Sequence, residues 1–252
     1  MKMRDHSIDI ETLSSHANAA IIAIGCQEFD LESGKLGRKL YRKIILASAI
    51  KTGHVEGSTL QWWLIQSQQA RDETFGTDER EVDKFPLAVA LDELSTFLRT
   101  TSGSVPRMWA RGAHFDIASL EWNYRHGAVG LMPPWHHRNV HDLRTLLELA
   151  QSLTGFDEHT IEFEGTKHNA QHDATHQAKV AIAAYQALRD ATGGNKVKLK
   201  MPEPPDESKG FRYWSHPESD SMVKLPFDEL PGDPLCVEVD EATFKAWDDE
   251  QL

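Results

Sequence analysis

The run Ala19 to Phe29, AAIIAIGCQEF, is too apolar to face water on either side. A strand of that composition belongs in the middle of a sheet, with neighbours at both edges and layers over both faces. Its flanks supply the neighbours. His6 to Thr12 reads as a first strand, followed by a polar loop from Leu13 to Asn18. Lys35 to Leu46 comes after a turn at Asp30 to Gly34 and alternates basic with apolar residues, as a third, edge-like strand does. The chain therefore opens as a β-meander. The basic residues of its third strand, Lys35, Arg38, Lys39, Arg42 and Lys43, face solvent or a partner.

After the meander, helical patterns alternate with short strands. Thr59 to Phe75 reads as one helix capped by Ser58 or Thr59. Trp62 and Trp63 are adjacent in it and cannot share a face, so one packs inward and the other is left as a platform for a base. Helices follow at Pro86 to Arg99, Phe115 to Arg125 and Leu143 to Leu153, the last capped by Asp142, and at Ala170 to Thr192. Val105 to Arg111 and Asn139 to His141 are short strands between them. The expected architecture is α/β: a mixed five-stranded sheet flanked by helices, in the manner of a ribonuclease H-like fold. This domain takes residues 1–193. Residues 194–252 form a Pro-marked linker (Pro202, Pro204, Pro205) and a small C-terminal α+β module. That module has strands within Phe211 to Leu225 and Leu235 to Val239, and an acidic helix from Glu241 to Gln251.

Charge and cysteine content narrow the setting. With 27 basic and 39 acidic residues the net charge is −12, which excludes coating nucleic acid by charge alone but not an enzyme acting on it. Cys26 and Cys236 make no disulfide framework, Met1 to Ser7 has no apolar signal core, and no run approaches the ~18 apolar residues of a membrane span. The expectation is a cytoplasmic protein without a membrane partner, in the host cytoplasm if a phage encodes it.

The chemistry gathers around Ile8-Asp9-Ile10-Glu11-Thr12. Residues i and i+2 of a strand share a face, so Asp9 and Glu11 point one way and the two isoleucines the other. Adjacent carboxylates repel, and a divalent cation with hard oxygen ligands, Mg²⁺ or Mn²⁺, is the usual remedy. Asp116 falls near the start of one helix and Asp173 in the first turn of another, with His168 on the loop before it. Four carboxylates can hold two divalent ions, which in two-metal sites lie about 3.5–4 Å apart. A loop histidine suits the proton transfer, because its ordinary pKa of about 6.5 lies near working pH.

The ordered set D-x-E-T at Asp9 to Thr12, Phe115-Asp116 after a strand and glycine, and H-x-A-x-x-D from His168 to Asp173 resembles the DEDDh family of 3′→5′ exonucleases. Three further stretches are similar to the branch that holds phage exonuclease A and mycobacterial ribonuclease AS. They are Ser58 to Trp63 with Gln66, Trp109 to Asp116, and Asp142 to Thr145. The resemblance runs from about Ser7 to Leu188. It implies two Mg²⁺ or Mn²⁺ ions on Asp9, Glu11, Asp116 and Asp173, with His168 as general base, and release of nucleoside 5′-monophosphates from a single-stranded 3′ end. It makes Thr12 and Leu13 contacts of the terminal nucleotide, with Trp63, Arg111 and Phe115 as further substrate-binding candidates. Arg111 reads either as a phosphate contact or as one arm of a surface salt bridge. The W-x-R-G segment tilts the reading toward DNA over RNA, and a homodimer is compatible with it. Two other readings compete. His172 and His176, at i and i+4 with His168 upstream, have a zinc spacing but leave Asp9, Glu11 and Asp116 without work. A non-catalytic nucleic-acid binder would gain nothing from converging carboxylates.

Overall fold

The computed structural model describes residues 5–76, 83–99, 105–127, 132–193, 211–216, 221–226 and 237–239. The chain divides into two compact units, Met1–Asn195 and Lys196–Leu252. The first unit is built on the meander: β1 (Asp5–Thr12), β2 (Ile21–Asp30) and β3 (Lys35–Ile44), antiparallel in succession. Every residue of β2 from Ile21 to Phe29 is buried, as its composition requires of a strand covered on both faces.

Three short strands complete the sheet: β4 (Lys84–Phe85), β5 (Arg107–Ala110) and β6 (Val140–Asp142), in the order β4-β3-β2-β1-β5-β6. β5 and β6 run parallel to β1, and the carboxylate of Asp5 joins β1 to β5 by accepting from Arg107 (2.6 Å) and the Trp109 indole (2.9 Å). The sheet thus has six strands where the sequence predicts five. The extra one is β4, which pairs only with Lys43 and Ile44 and is too short to show an alternating pattern.

Helices cover the two faces. On one lie α4 (Leu87–Arg99) and α5 (Ala113–His126), whose Leu91, Leu94, Ile117 and Leu120 form a core with Ile8 and Ile10. Of the basic side chains of β3, Lys35 and Lys39 are exposed as expected, while Arg38 and Arg42 reach toward this layer. Arg38 lies over the Phe97 ring and pairs with Glu28, and Arg42 lies over Phe85 and pairs with Glu93. On the other face lie α6 (Leu143–Thr154) and α7 (Ala170–Ala191). The stripe Ala170, Ala174, Ala178, Ala181 lets α7 sit close against β1 and β2. Closest of all is its first residue, above Gly25: a Cβ there would stand 2.0 Å from the Ala170 carbonyl carbon. Gly25 pairs with Asp9, so this approach carries the start of α7 onto the acid-bearing face of β1.

The single helix predicted from Thr59 to Phe75 is two helices. α1 (Leu46–Ala49) precedes it as one turn, and the segment itself divides into α2 (Gly57–Leu64) and α3 (Gln68–Phe75). Ser67 interrupts the helix by accepting from the Ala70 N–H, a local bond that competes with helix continuation. Ser58 and Thr59 do not cap α2. Glu56 occupies that position without a side-chain cap.

In the second unit, β7 (Phe211–His216), β8 (Ser221–Pro226) and β9 (Val237–Val239) form an antiparallel sheet in the order β8-β7-β9. The expected span Phe211 to Leu225 is therefore a pair of strands. The acidic helix and Pro-marked linker fall outside the described residues. Among the described residues no helix is long and apolar enough to cross a membrane.

Candidate active site

β1 presents Asp9 and Glu11 on the α7 side of the sheet, with Ile8 and Ile10 buried on the other, as strand periodicity requires. Asn169 caps α7 by accepting from the N–H groups of Gln171 and His172, which places Asp173 in the first turn. Oxygens of Asp9, Glu11 and Asp173 all lie within 4.8 Å of one another. Asp116 arrives from the far end of β5. Gly112, at φ 105°, turns the chain into α5, and Asp142 receives the Ala113 N–H (2.9 Å) while capping α6 through the Arg144 N–H (2.8 Å). The buried Asp116 carboxylate stands outside the mutual 4.8 Å of the other three, yet its charge acts on both Asp9 and Glu11.

The four acids hinder one another's ionisation. Burial, then the charges of Asp116 and Asp173, push Asp9 well above the usual carboxylate range, against a hydrogen bond from Gln177. Burial and the same neighbours, Asp9 first, do so to Glu11. Burial pushes Asp116 up to about 7, although backbone hydrogen bonds and the Arg144 charge oppose it. Burial also raises Asp173, against a backbone hydrogen bond from His168. One Asp173 oxygen, Oδ2, is buried without a hydrogen-bond partner. Converging carboxylates that cannot all be charged by themselves, one of them with an unpartnered oxygen, fit a hard divalent cation.

Two concavities flank the acids. A cleft of about 580 Å³ is lined by Glu11, Thr12, Glu56, Trp62, Trp63 and Phe115 among others. A second pocket of about 400 Å³ is shared by Asp173, His168, Arg111, Lys167 and His176 among others. His168 takes a left-handed backbone at φ 64°, and its ring stands nearly perpendicular to that of Trp62, with centroids 4.9 Å apart.

The structure sorts the remaining candidates. Thr12 and Phe115 line the cleft. Leu13 does not. It is 2% exposed and packs in the core, because its N–H bonds to the Ala20 carbonyl and turns the side chain inward. Trp63 touches the cleft but is 3% exposed, and its indole N–H holds the Thr12 carbonyl (2.9 Å). The open ring is its neighbour Trp62, 39% exposed. Adjacent helical positions diverge, but which of the two faces in depends on where α2 docks. Arg111 forms the surface salt bridge, to Glu158 at 2.8 Å, while its N–H donates to Gln177 (3.1 Å). Gln177 in turn donates to Asp9 Oδ1 (2.7 Å). Its place one turn after Asp173 on the same face of α7 was the signal by which a sequence reading could have found it. The zinc spacing does not assemble: His172 Nδ1 accepts the Thr166 N–H (3.0 Å), and His176 packs on Phe163.

A family model described as the 3′-5′ exoribonuclease Rv2179c-like domain matches residues 4–185. The chain belongs to this Rv2179c-like family. It is a 3′→5′ exonuclease of that family, on a ribonuclease H-like fold. Among solved structures, Pop2p of S. pombe in its Mg²⁺- and Mn²⁺-bound form is similar over 75% of this chain and 85% of its own, at 12% identity and a TM-score of 0.51. The nuclease domain of 3′hExo, a DEDDh family member bound to rAMP, is similar over 72% of this chain and 91% of its own, at 11% identity and a TM-score of 0.45. At 12% identity the likeness to Pop2p bears on the fold. No curated protein matches the sequence.

Proposed function

We propose that this Rv2179c-like protein is a divalent-metal-dependent exonuclease that trims single-stranded RNA from the 3′ end, releasing nucleoside 5′-monophosphates. The observation that carries it is the convergence of Asp9, Glu11 and Asp173 within 4.8 Å beside a cleft sized for a nucleotide. The family description as an exoribonuclease favours RNA and displaces the slight preference for DNA drawn from W-x-R-G. Two Mg²⁺ or Mn²⁺ ions would be held by Asp9, Glu11 and Asp173 with Asp116. Bound there, such ions supply Lewis acidity toward the scissile phosphate and make coordinated water more acidic.

The chain's own residues do the rest. Thr12, Trp62 and Phe115 receive the terminal nucleotide in the cleft, where the open Trp62 ring can stack a base or sugar. Trp63 keeps Thr12 in place through its indole hydrogen bond. Gln177 orients the Asp9 carboxylate. The His168 imidazole, in the pocket it shares with Asp173, accepts the proton of the attacking water.

The test is a gel. RNA and DNA oligonucleotides of one sequence, labelled at the 5′ end, are incubated with Mg²⁺, Mn²⁺ or EDTA. A ladder shortening from the 3′ end of RNA, absent with EDTA, is expected. Trimming of DNA in preference to RNA would overturn the substrate assignment, and trimming in EDTA would overturn the metal. His168→Ala should lower the rate about 10²–10⁴-fold with substrate binding retained. A full-rate variant would remove His168 from the mechanism.

A further inference from the structure

His168 occupies a backbone conformation that a residue with a side chain rarely adopts, and such conformations persist only where the surroundings enforce them. The enforcing contacts come from α3. The Glu73 carboxylate accepts from the Thr166 hydroxyl (2.7 Å) and Gln69 (3.1 Å) at one oxygen, and from the Asn169 side-chain amide (2.8 Å) at the other. Thr74 donates its hydroxyl to the His168 carbonyl (3.1 Å). One carboxylate therefore grips the chain on both sides of His168, two residues before it and one after. Asn169 is held while its own oxygen caps α7. The grip has a firm base, since the Tyr41 hydroxyl on β3 donates to the Glu73 carbonyl (2.9 Å).

We propose that Glu73 is a positioning residue for the exonuclease reaction: by holding Thr166 and Asn169 it fixes the loop that keeps the His168 ring beside Asp173 and against Trp62. The inference rests on the reading of His168 as the base. Burial works against charge on Glu73, but hydrogen bonds from Thr166, Asn169 and Gln69 outweigh it and hold the carboxyl below its ordinary pKa, so the clamp is ionised at neutral pH. Glu73 is itself only half-buried and adds little to a core.

The test is a double-mutant cycle with Mn²⁺ in excess, comparing wild type, Glu73→Ala, His168→Ala and the double variant on the oligonucleotide that the wild type trims. Glu73→Ala is expected to lower kcat about 10–100-fold, the penalty of a misplaced catalytic group, with KM and calorimetric Mn²⁺ affinity unchanged. The double variant should be no slower than His168→Ala, and Glu73→Gln, which keeps one acceptor oxygen, should recover part of the rate. A wild-type kcat for Glu73→Ala overturns the proposal. So does an additional loss of the same factor in the His168→Ala background, which would mark a role independent of His168. A full-rate His168→Ala overturns the base assignment instead, and Glu73's part in the reaction with it. A readout free of catalysis is the NMR shift of the His168 ring proton Hε1. Held beside Trp62 it is displaced by the ring current, and in Glu73→Ala it should move to the position of a free histidine. Should Glu73→Ala fail to fold, Thr166→Val removes one of the clamp's donors and should shift kcat and Hε1 in the same direction. No change in either would overturn the proposal.

Discussion

Replacing Gly25 by alanine should damage stability and catalysis together through one displacement. The added Cβ would lie 2.0 Å from the Ala170 carbonyl carbon, 2.1 Å from its oxygen and 2.3 Å from the Gln171 nitrogen. Carbon atoms in contact sit about 3.5–4.0 Å apart, so the start of α7 must withdraw by roughly 1.5 Å. All three obstructing atoms are backbone, and no side-chain rotation relieves them. Overpacking of this kind costs about 1–3 kcal/mol, and at roughly 2–4 °C per kcal/mol the melting temperature should fall by about 2–12 °C. Asp173 lies in the first turn of the displaced helix, so it leaves the 4.8 Å group with Asp9 and Glu11. A shift of about 1 Å at a catalytic group costs on the order of 10²-fold in rate. The measurements are thermal melting without metal, Mn²⁺ calorimetry and 3′ trimming of a labelled oligonucleotide. Gly57→Ala is the control: an added Cβ there meets nothing within 4 Å, so stability and rate should hold. Wild-type melting and trimming by Gly25→Ala would refute the claim that contact between Gly25 and α7 sets the acid geometry.

Asp173→Asn should weaken Mn²⁺ binding by more than the roughly 10–100-fold typical of an outer-sphere partner, and should raise the melting temperature of metal-free protein because one mutually repelling charge is gone; calorimetry and melting curves check both. Gln177→Ala, which frees Asp9 Oδ1, should cost about 10–100-fold in metal affinity in the same calorimetric titration. Metal-free protein should also lose stability as pH rises. With Asp116 at about 7 in the folded state and its ordinary value of 3.8 when unfolded, the native state binds more protons between those limits, so stability falls from about pH 4 to 7. Saturating Mg²⁺ should flatten that slope, and melting curves taken from pH 5 to 8 with and without metal would show it. Trp62→Ala should raise KM by the ~1–3 kcal/mol of a lost stacking contact with folding intact. Trp63→Ala, which empties a buried site, should destabilise the fold by about 3–5 kcal/mol in denaturant titration.

Much of the site was legible because the chemistry is local in pattern. Asp9 and Glu11 share a face by strand period, and Asp173 falls in a first turn that Asn169 announces. What escaped was set by contacts that no strand or helix period encodes. Leu13 belongs to the core because its N–H finds Ala20, and Arg111 is tied to Glu158, 47 positions away. Trp62 and Trp63 are equivalent on any helical pattern, and the bond from Trp63 to Thr12, 51 positions earlier, decides between them. β4 is two residues held by the edge of β3, and no propensity marks it.

The sequence by itself determined the layered architecture, since the apolar run of β2 can be satisfied only inside a covered sheet, and it determined the identity of the acids, since their spacing follows backbone periods of two and 3.6. Tertiary structure alone decided how close those acids stand, through the bare surface of Gly25 beneath Ala170, and how the histidine loop is held, through Glu73 and Thr74, which bond to residues 93 and 94 positions later. The division has a physical cause. Periodicity states which way a side chain points, whereas distance and restraint are properties of two chain segments meeting, and neither segment carries that information alone.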